Sequence, residues 1–498
     1  MQEVVDLISN WVWSSALVYL CLGAGLFFSI ATKFLQVRQV KEMARLLAKG
    51  NASERGISSF QALTVSLSGR VGTGNIAGVS AAIGFGGPGA VFWMWVVAFL
   101  GAATSYIECT LGQIYKEEYQ GQYRGGPAYY FEKALGMRWY GILFAIVTVI
   151  SCGLLLPGVQ SNSIGNAVQL TLGEGPIYNT FIGEISLIKA LVALVIVTLV
   201  GFIIFGGVKR IARFTQIVVP FMALAYILTA LVIIGINIIA LPAVIALIIG
   251  DAFNPMAGVG AAVGWGVKRG IYSNEAGQGS GPHMAAAAEV QHPAQQGLVQ
   301  AFAVYIDTLF VCTATALMIL ITGAYNVIGL GPEPVLMQIS PDIIANSPGF
   351  TQTAVESMLP GIGEPFIAVA LFFFAFTTIL AYYYVADTNV TYLQDRLRLP
   401  GLSSLVKVGV MGSTFYGTVK AANLAWALGD IGVGLMAWFN IVGIVVIFFM
   451  AKPALKALLD YQRQQKAGVT EYRFDPLALG IKNAAFWERK AHEDNTTP

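Results

Sequence analysis

Long apolar stretches separated by shorter polar ones recur along almost the whole chain. Each holds close to the ~20 mostly apolar residues that an α-helix needs to cross the hydrocarbon core of a membrane. The pattern predicts eleven membrane-spanning helices, which we number as spans 1 to 11 in chain order: 11–32, 62–84, 90–115, 139–170, 187–206, 214–237, 257–282, 297–323, 363–392, 404–426 and 430–451. A further apolar run, 239–250, is too short to span a membrane and predicts a re-entrant or surface helix.

The composition supports this interpretation. Of the 498 residues, 56% are hydrophobic and 11% are charged, whereas a soluble domain carries about 25% charged residues. The net charge of +2 comes with no dense basic patch, so we expect no nucleic-acid partner. The four cysteines all lie within apolar segments, which favours buried free thiols over disulfides. The predicted fold class is therefore an all-α polytopic membrane protein.

Lysine and arginine concentrate in alternate connections between the spans, which indicates the side of the membrane on which each connection lies. The basic connections follow spans 1, 3, 5 and 9, and the C-terminal tail is also basic; the residues are Lys33, Arg38, Lys41, Arg45, Lys49, Arg55, Lys116, Arg124, Lys133, Arg138, Lys209, Arg210, Arg213, Arg396, Arg398, Lys452, Lys456, Arg463 and Lys466. The connections 171–186 and 324–362 carry almost no basic residues. We therefore expect the N-terminus outside and the C-terminus in the cytoplasm, which requires an odd number of spans. The membrane is expected to be the plasma membrane, which in a bacterium is the inner membrane.

One short motif occurs twice, in spans 2 and 7. "RVGTGNIAG" (70–78) and "RGIYSNEAG" (269–277) share the frame Arg-x4-Asn-x-Ala-Gly. Glycines cluster around both asparagines, and each glycine inside a helix costs about 1 kcal/mol relative to alanine, so both helices are predicted to break near the middle of the membrane. Lipid cannot satisfy the backbone groups that a break exposes. Such groups are tolerated where they face protein or a cavity, in which carbonyl groups bind a cation and amides bind an anion.

Paired breaks in corresponding helices of two halves point to the central site of a transporter. Five spans in each half, 2–6 and 7–11, give the second copy the opposite orientation in the membrane, so an inverted repeat is predicted, with span 1 as an extra peripheral helix. The corresponding division of the chain is 1–61, 62–237, 238–452 and a tail, 453–498, which is expected to form a cytoplasmic helix with a disordered end. The alternative is that the glycines only allow close helix packing.

Three segments also resemble one known family. The segments "SLSGRVGTGNIAGVSAAIGFGGPGAVFWMWV" (66–97), "SNEAGQGSGP" (273–282) and "QGLVQAFAVYIDTLFVCTATALMILITG" (296–323) are similar to the alanine or glycine:cation symporters, and the similarity runs through most of residues 10–455. The resemblance implies a LeuT-like inverted-repeat core and the sodium-coupled uptake of a small neutral amino acid, such as alanine or glycine, by alternating access. Na+ would be the coupling ion, with no organic cofactor and no obligatory protein partner, and the protein would not be an enzyme.

The resemblance also implies which residues bind the amino acid. The substrate carboxylate suits the free amides of Thr73 and Gly74, because the N-terminus of a half-helix carries positive dipole charge. Gln160 in span 4 occupies the place of a substrate-contacting glutamine. The other expected substrate contacts are groups of the two breaks and of span 9: Asn75, Ser273, Asn274, Gly277, Thr378 and Tyr382.

A sodium ion takes hard oxygen ligands. By the LeuT-like pattern, these ligands are the carbonyl groups of Ser68 and Val71 together with the hydroxyl groups of Thr377 and Thr378 in span 9. The alternative for both threonines is a hydrogen bond from the hydroxyl group to a carbonyl group of their own helix.

Span 9 departs from the family pattern at two positions. Relatives have a tryptophan where this chain has Tyr382 and a glutamate where it has Asp387. The loss of an indole enlarges the pocket and adds a hydroxyl group. A larger or more polar neutral amino acid, for example serine or glutamine, is therefore an alternative to alanine and glycine.

Charged residues inside predicted spans need partners there. They are Arg70, Glu108, Arg269, Glu275 and Asp307, and we expect them to form structural ion pairs or gates. Proton coupling through Glu275 or Asp307 is the alternative to sodium coupling. A channel is a further alternative, although the polar positions are isolated and form no charged ring.

Overall fold

A computed structural model describes residues 2–47, 56–180, 183–328 and 334–496, so Lys49 and Arg55 of the first basic connection lie outside the described residues. The helices are α1 (Gln2–Val12), α2 (Ser15–Ala31), α3 (Leu35–Arg38), α4 (Val40–Leu47), α5 (Ser59–Arg70), α6 (Ala77–Gly86), α7 (Gly89–Ile114), α8 (Pro127–Leu135), α9 (Arg138–Ile150), α10 (Leu156–Leu172), α11 (Leu187–Ile204), α12 (Gly207–Ile236), α13 (Leu241–Phe253), α14 (Val259–Asn274), α15 (Gly281–Ala287), α16 (Pro293–Val304), α17 (Thr313–Thr322), α18 (Gly349–Met358), α19 (Gly363–Leu397), α20 (Leu402–Val419), α21 (Ala422–Ala451), α22 (Pro453–Lys466) and α23 (Ala485–Thr496).

Short irregular elements join these helices. Two are turns of 3-10 helix, Thr73–Asn75 and Ile238–Ala240, and two are π-helical stretches, Ser151–Leu155 and Tyr305–Cys312. The strands form antiparallel pairs: β1 (Glu117–Tyr119) with β2 (Gln122–Arg124), β3 (Ile177–Thr180) with β4 (Gly183–Ser186), and β5 (Asn326–Val327) with β6 (Leu336–Met337).

Eight helical stretches of the described chain are long and apolar enough to cross a membrane: Gln2–Ala31, Gly89–Ile114, Arg138–Leu172, Leu187–Ile204, Gly207–Ile236, Pro293–Thr322, Gly363–Leu397 and Ala422–Ala451. The all-α polytopic fold is thereby confirmed. Spans 2 and 7 are each built from two shorter helices, and span 10 corresponds to the 18 residues of α20. The total of eleven spans stays a prediction. The run 239–250 covers the end of the 3-10 turn Ile238–Ala240 and most of α13, whose 13 residues are too few to span.

Span 2 breaks between Arg70 and Ala77. Its first half, α5, begins with a capping box in which Ser58 Oγ accepts a 3.1 Å hydrogen bond from Gln61 N, the arrangement that best satisfies the free amides of a helix start. α5 ends at Arg70, and a single 3-10 turn leads to α6. The helix break predicted from the glycines is therefore confirmed.

Span 7 breaks between Asn274 and Gly281. Glu275, Gly277 and Gly279 have φ angles of +58°, +83° and +86°, the left-handed region that ends a helix and that glycine enters at little cost. The second predicted break is confirmed as well, so both copies of the repeated motif lie where a helix is interrupted.

The two broken spans lie side by side and run in opposite directions. α6, the second half of span 2, packs against α14, the first half of span 7, and α5 packs against α15. An inverted repeat requires this antiparallel arrangement. The end of α15 lies on the side of the molecule that also holds the tail, which we call the C-terminal face. The start of α14 leads to the opposite face.

The tail is folded, so the expected disordered end is wrong for the described residues. After α22, residues 467–484 run along the C-terminal face and lead into α23. Phe474, Ile481 and Trp487 are buried against the rest of the molecule, and burying side chains of this size is worth about 1.5–3 kcal/mol each. The apolar residues of this segment fall mostly in two short runs, 476–481 and 484–487, between polar stretches, and runs this short predicted no folded element.

Candidate functional site

The two breaks contact each other directly. Gly74 faces span 7 so closely that a Cβ atom on it would lie 3.2 Å from Cα of Ser273, a close approach that glycine permits. Asp307, in the π-helical stretch of span 8, joins both sides, because its carboxylate accepts hydrogen bonds from Asn75 Nδ2 (2.6 Å) and Ser273 Oγ (2.9 Å). All of these residues are buried. The breaks therefore form one buried polar centre.

The amides of the first break are bonded to neutral side chains. Gln160 Oε1 accepts a 2.9 Å hydrogen bond from Thr73 N, and Asn75 Oδ1 accepts one of 2.8 Å from Gly72 N. Free amides at the start of a half-helix carry partial positive charge, and a carboxylate binds an amide more strongly than a neutral oxygen does. A ligand carboxylate can therefore replace Gln160 at Thr73.

The amides of the second break are held by a fixed carboxylate instead. Glu108 of α7 accepts hydrogen bonds from Gly277 N and Gly279 N, both 3.1 Å long, and one of 2.7 Å from Asn440 Nδ2. A ligand carboxylate would meet a like charge here. The capacity to bind an anion thus lies at the first break, and the amide of Gly277, an expected substrate contact, is engaged by Glu108.

Thr378 of α19 lies against the end of α5. Its Oγ1 atom is 2.7 Å from the carbonyl oxygen of Ser68 and 2.9 Å from that of Phe374. A hydroxyl group has one proton, so Thr378 Oγ1 donates to one of these two carbonyl oxygens. The other carbonyl oxygen then lies at short range from Oγ1 with no proton between the two oxygens. A cation is attracted to such a group of oxygens. The Thr377 hydroxyl group, by contrast, bonds carbonyl groups of its own helix, those of Phe373 (2.9 Å) and Phe374 (3.0 Å).

Several buried polar atoms around the breaks have no hydrogen-bond partner among the described residues, among them Thr73 Oγ1, the Tyr272 hydroxyl group, Glu275 Oε1, both amide atoms of Gln278 and Trp426 Nε1. A buried polar group without a partner costs about 1–3 kcal/mol and calls for an explanation. The rings of Tyr272 and Trp426 lie 5.0 Å apart. These atoms offer both donors and acceptors to a polar ligand.

A layer of charged and aromatic side chains covers the breaks toward the opposite face. Arg269 makes two hydrogen bonds to the Asp430 carboxylate, of 2.8 and 3.1 Å, and Lys268 Nζ lies 2.7 Å from the same group. The Arg269 guanidinium also lies 4.4 Å from the centre of the Trp426 ring. Arg269 therefore has the buried partner that was expected. Asp430 was not among the expected partners. Its position as an acidic residue at the start of span 11 was the feature that could have identified it.

Arg70 has no carboxylate within 4.0 Å among the described residues, so the expected close ion pair is not found there. Its guanidinium donates to the carbonyl group of Gln300 (2.9 Å) and to Ser105 Oγ (3.2 Å). Arg70 is thus held by neutral acceptors among the described residues.

The structure brings most of the expected site residues together. Around the contact of the breaks with α10 and α19 lie Ser68, Val71, Thr73, Gly74, Asn75, Gln160, Ser273, Asn274, Thr377 and Thr378. Tyr382 follows one turn later on α19 and is 1% exposed. Asp387, the second departure from the family pattern, pairs with Arg124 at 3.0 Å near the C-terminal face.

An antiparallel pair of broken helices around a buried polar centre defines a secondary transporter. The crystal structure of MhsT in complex with L-phenylalanine has the same fold, with a TM-score of 0.54 at 15% sequence identity over 82% of this chain and 99% of that one. The LeuT-like fold class is thereby confirmed.

The family model described as the sodium:alanine symporter family matches residues 1–475, and the chain belongs to this family. YrbD of Bacillus subtilis (strain 168), whose name proposes a sodium/proton-dependent alanine carrier, is 56% identical over 99% of both chains. GlnT of the same organism, whose name proposes sodium/glutamine symport, is 40% identical over 94% of this chain and 92% of its own. The sodium/alanine symporter AgcS of Methanococcus maripaludis is 34% identical over 93% and 98%.

Proposed function

We propose that this protein couples the movement of Na+ to the uptake of a small neutral amino acid, with alanine as the first candidate. The observation that carries the proposal is the position of Gly72. A Cβ atom on Gly72 would meet both Thr378 Oγ1 and Gln160 Oε1, so an oxygen suited to a cation and the acceptor bound to Thr73 N lie close together, next to the same residue. Membership of the sodium:alanine symporter family supports the same pair of cargoes.

The amino-acid carboxylate binds the amides of Thr73 and Gly74 in this proposal. It displaces the side chain of Gln160, which then turns its amide group toward the ligand. Thr73 Oγ1, which has no protein partner, becomes a further donor. The polar groups of Asn75, Ser273 and Asn274 border the same centre and complete the enclosure of a small ligand.

Na+ binds where Thr378 Oγ1 meets the carbonyl oxygen of Ser68, with the carbonyl group of Val71 and the hydroxyl group of Thr377 as further ligands. Na+ replaces the missing proton between neighbouring oxygens and so removes their repulsion. The ion also orders the backbone that presents the amide of Thr73. Each cargo therefore raises the affinity for the other by the same factor, because such coupling is reciprocal.

Uptake follows from the proposed orientation in the plasma membrane. The basic connections place the C-terminal face in the cytoplasm and the opposite face outside. The layer of Arg269, Asp430 and Trp426 then separates the site from the outside. Alternating access requires that this layer opens when the start of α5 and the end of α15 are closed together at the C-terminal face, and the reverse.

A broader or different specificity is the second candidate. Tyr382 presents a phenol beside Glu275 where the family pattern has an indole, and GlnT is a relative whose name proposes glutamine as substrate. Proton coupling is supported by two buried carboxylates at the breaks, Glu275 and Asp307, and by the name of YrbD. Neither carboxylate is needed for the sodium ligands proposed above.

A competition assay tests the proposal. The purified protein is reconstituted in liposomes, and uptake of radiolabelled alanine is measured against each of the twenty amino acids, in sodium and in choline buffer at one fixed pH. We expect saturable uptake that needs Na+ and is inhibited by small neutral amino acids. Uptake that is equal in both buffers and follows an imposed pH gradient would contradict sodium coupling and support proton coupling.

A further inference from the structure

The start of α5 and the end of α15 are joined through their flanking chain. Ile57 N donates a 3.1 Å hydrogen bond to the carbonyl group of Ala287, and Glu289 N donates one of 3.1 Å to the carbonyl group of Ile57. The residue ahead of α5 is thereby paired with the residues that follow α15. We call this pairing the C-terminal junction.

Two polar side chains at the end of α7 hold the junction from one side. Gln113 Nε2 donates to the carbonyl groups of Ala285 and Ala288, the second at 2.9 Å. Lys116 Nζ donates a 3.1 Å hydrogen bond to the carbonyl group of Ala288. The last carbonyl groups of a half-helix are left free by the helix itself, so these donors both satisfy α15 and fix its position.

The end of the chain covers these two side chains. Trp487 of α23 is 1% exposed, and its Nε1 atom donates a 2.8 Å hydrogen bond to the carbonyl group of Gln113. The rings of Phe486 and Trp487 lie 4.5 and 5.3 Å from Lys116 Nζ, within the range at which an aromatic ring stabilises a cation. Lys490 Nζ reaches the carbonyl group of Val290 at 3.4 Å, just beyond the junction.

The chain that leads to this segment is anchored on both sides of the junction. Tyr461 of α22 donates a 2.6 Å hydrogen bond to Glu42 of α4, the helix that precedes α5 in the chain. His292 Nε2, at the start of α16, lies 3.3 Å from the carboxylate of Asp460 in α22. The tail thus contacts the connections that enter α5 and leave α15.

We propose that residues 467–496 form a latch that stabilises the closed state of the C-terminal face and so controls how readily the broken helices separate there. This inference rests on the proposed function, since it assigns a role to one half of the transport cycle. Opening on the C-terminal face requires that α5 or α15 leaves the junction, and the contacts of Gln113, Lys116 and Trp487 oppose that movement. A latch of this kind sets the rate of release into the cytoplasm without contacting either cargo.

Hydrogen–deuterium exchange of the purified full-length protein tests the latch. Trp487→Ala removes both the ring and the donor, whereas Leu477→Ala, at an exposed position of the same segment, is the matched control. We expect the backbone amides of 56–70 and 281–290 to exchange on the order of fivefold faster in Trp487→Ala than in the wild type, with peptides of α6 and the start of α14 unchanged. Leu477→Ala should exchange as the wild type does.

Equal exchange of 56–70 and 281–290 in Trp487→Ala and in the wild type would overturn the proposal. Faster exchange across the whole protein would overturn it as well, because it would show a general loss of stability. If Trp487→Ala fails to fold, Asn483→Ala, which removes a 2.9 Å hydrogen bond to the carbonyl group of Lys133, is the milder variant and faces the same two outcomes. Exchange is measured without transport, so these outcomes are independent of the uptake assay that tests the proposed function.

Discussion

Gln160 and Thr73 are joined by a 2.9 Å hydrogen bond from the backbone amide of Thr73 to the side-chain oxygen of Gln160. The bond reaches from α10 to the first helix break. Its counterpart at the second break is the pair of bonds that Gly277 N and Gly279 N donate to Glu108. A neutral acceptor exchanges readily for a carboxylate, whereas a fixed carboxylate does not, and on this difference we base the proposal that the first break binds the amino acid.

A charge at Gln160 should abolish substrate binding. Gln160→Glu keeps the shape of the side chain but provides a carboxylate that occupies the amide of Thr73 and repels the carboxylate of the amino acid. We expect the KM for alanine to rise more than about a hundredfold, beyond the range of the uptake assay, which corresponds to roughly 2.8 kcal/mol or more, with Gln169→Glu at the half-buried end of α10 as the control. A wild-type KM in Gln160→Glu would contradict the assigned site.

Two adjacent threonines should differ in their effect on sodium. Thr378→Ala removes the oxygen that faces the carbonyl group of Ser68, so the Na+ concentration for half-maximal uptake should rise about tenfold or more while the order of preferred amino acids stays the same. Thr377→Ala removes a hydroxyl group that bonds its own helix and should have the smaller effect. Sodium titration of alanine uptake measures both. A wild-type sodium response in Thr378→Ala would refute its role as a ligand.

Tyr382 should determine how large a side chain the site accepts. Tyr382→Trp restores the indole that the family pattern has at this position and fills part of the pocket. We expect inhibition of alanine uptake by glutamine and serine to weaken by about tenfold, since loss of fit to a buried pocket costs on the order of 1–3 kcal/mol, while glycine competes as before. Tyr382→Phe separates the loss of the hydroxyl group from the change in volume. An unchanged inhibition pattern in Tyr382→Trp would place specificity elsewhere.

The helix breaks and the antiparallel repeat could be predicted from the sequence because glycine clusters and span counting carry that information directly. The side chains that bond the backbone amides of each break could not be predicted. Asn75 and Asn274 stand at equivalent positions of the repeated motif, yet the amides near the first bond neutral side chains and those near the second bond Glu108. That difference depends on how α7 packs against the second break. Glu108 of α7 and Gly277 of the break are in contact but lie more than 160 residues apart in the sequence.

The tail shows the same limit for a different reason. Its apolar residues form only short runs, so no periodic pattern predicts a folded segment. Trp487 and Phe474 become buried because grooves formed by other helices receive them. Arg269 likewise could be expected to have a buried acidic partner. Which acidic residue it pairs with depends on how α14 and α21 pack. Asp430 is close to Arg269 in space and 161 residues away along the chain.

Docking of the tail should weaken in acid. Burial lowers the pKa of His292 below its ordinary value, so the folded protein keeps the ring neutral while an undocked tail lets it take up a proton. The Asp460 carboxylate faces the His292 ring, and Arg463 and Gln464 bond that carboxylate. With these groups present, the pKa of His292 is still lowered. A group whose folded pKa is lowered binds more protons in the unfolded state, so stability is lost as the pH falls below the ordinary histidine value of about 6.5.

Thermal unfolding followed by tryptophan fluorescence at pH values of about 7.5 and 5.5 checks this expectation. The wild type should lose more stability across this interval than His292→Asn, which retains a residue suited to the start of α16 but does not titrate. Equal losses in the two proteins would show that His292 is not the group responsible.

Equilibrium binding of alanine to the purified protein shows whether Na+ and the amino acid bind together at the first helix break. Radiolabelled alanine is titrated in sodium chloride and in choline chloride at one pH, for the wild type and for Gln160→Glu. The account predicts that Na+ lowers the Kd of the wild type at least about tenfold and that Gln160→Glu binds no alanine in either salt. A Kd that is the same in both salts, or unaltered binding by Gln160→Glu, would contradict it.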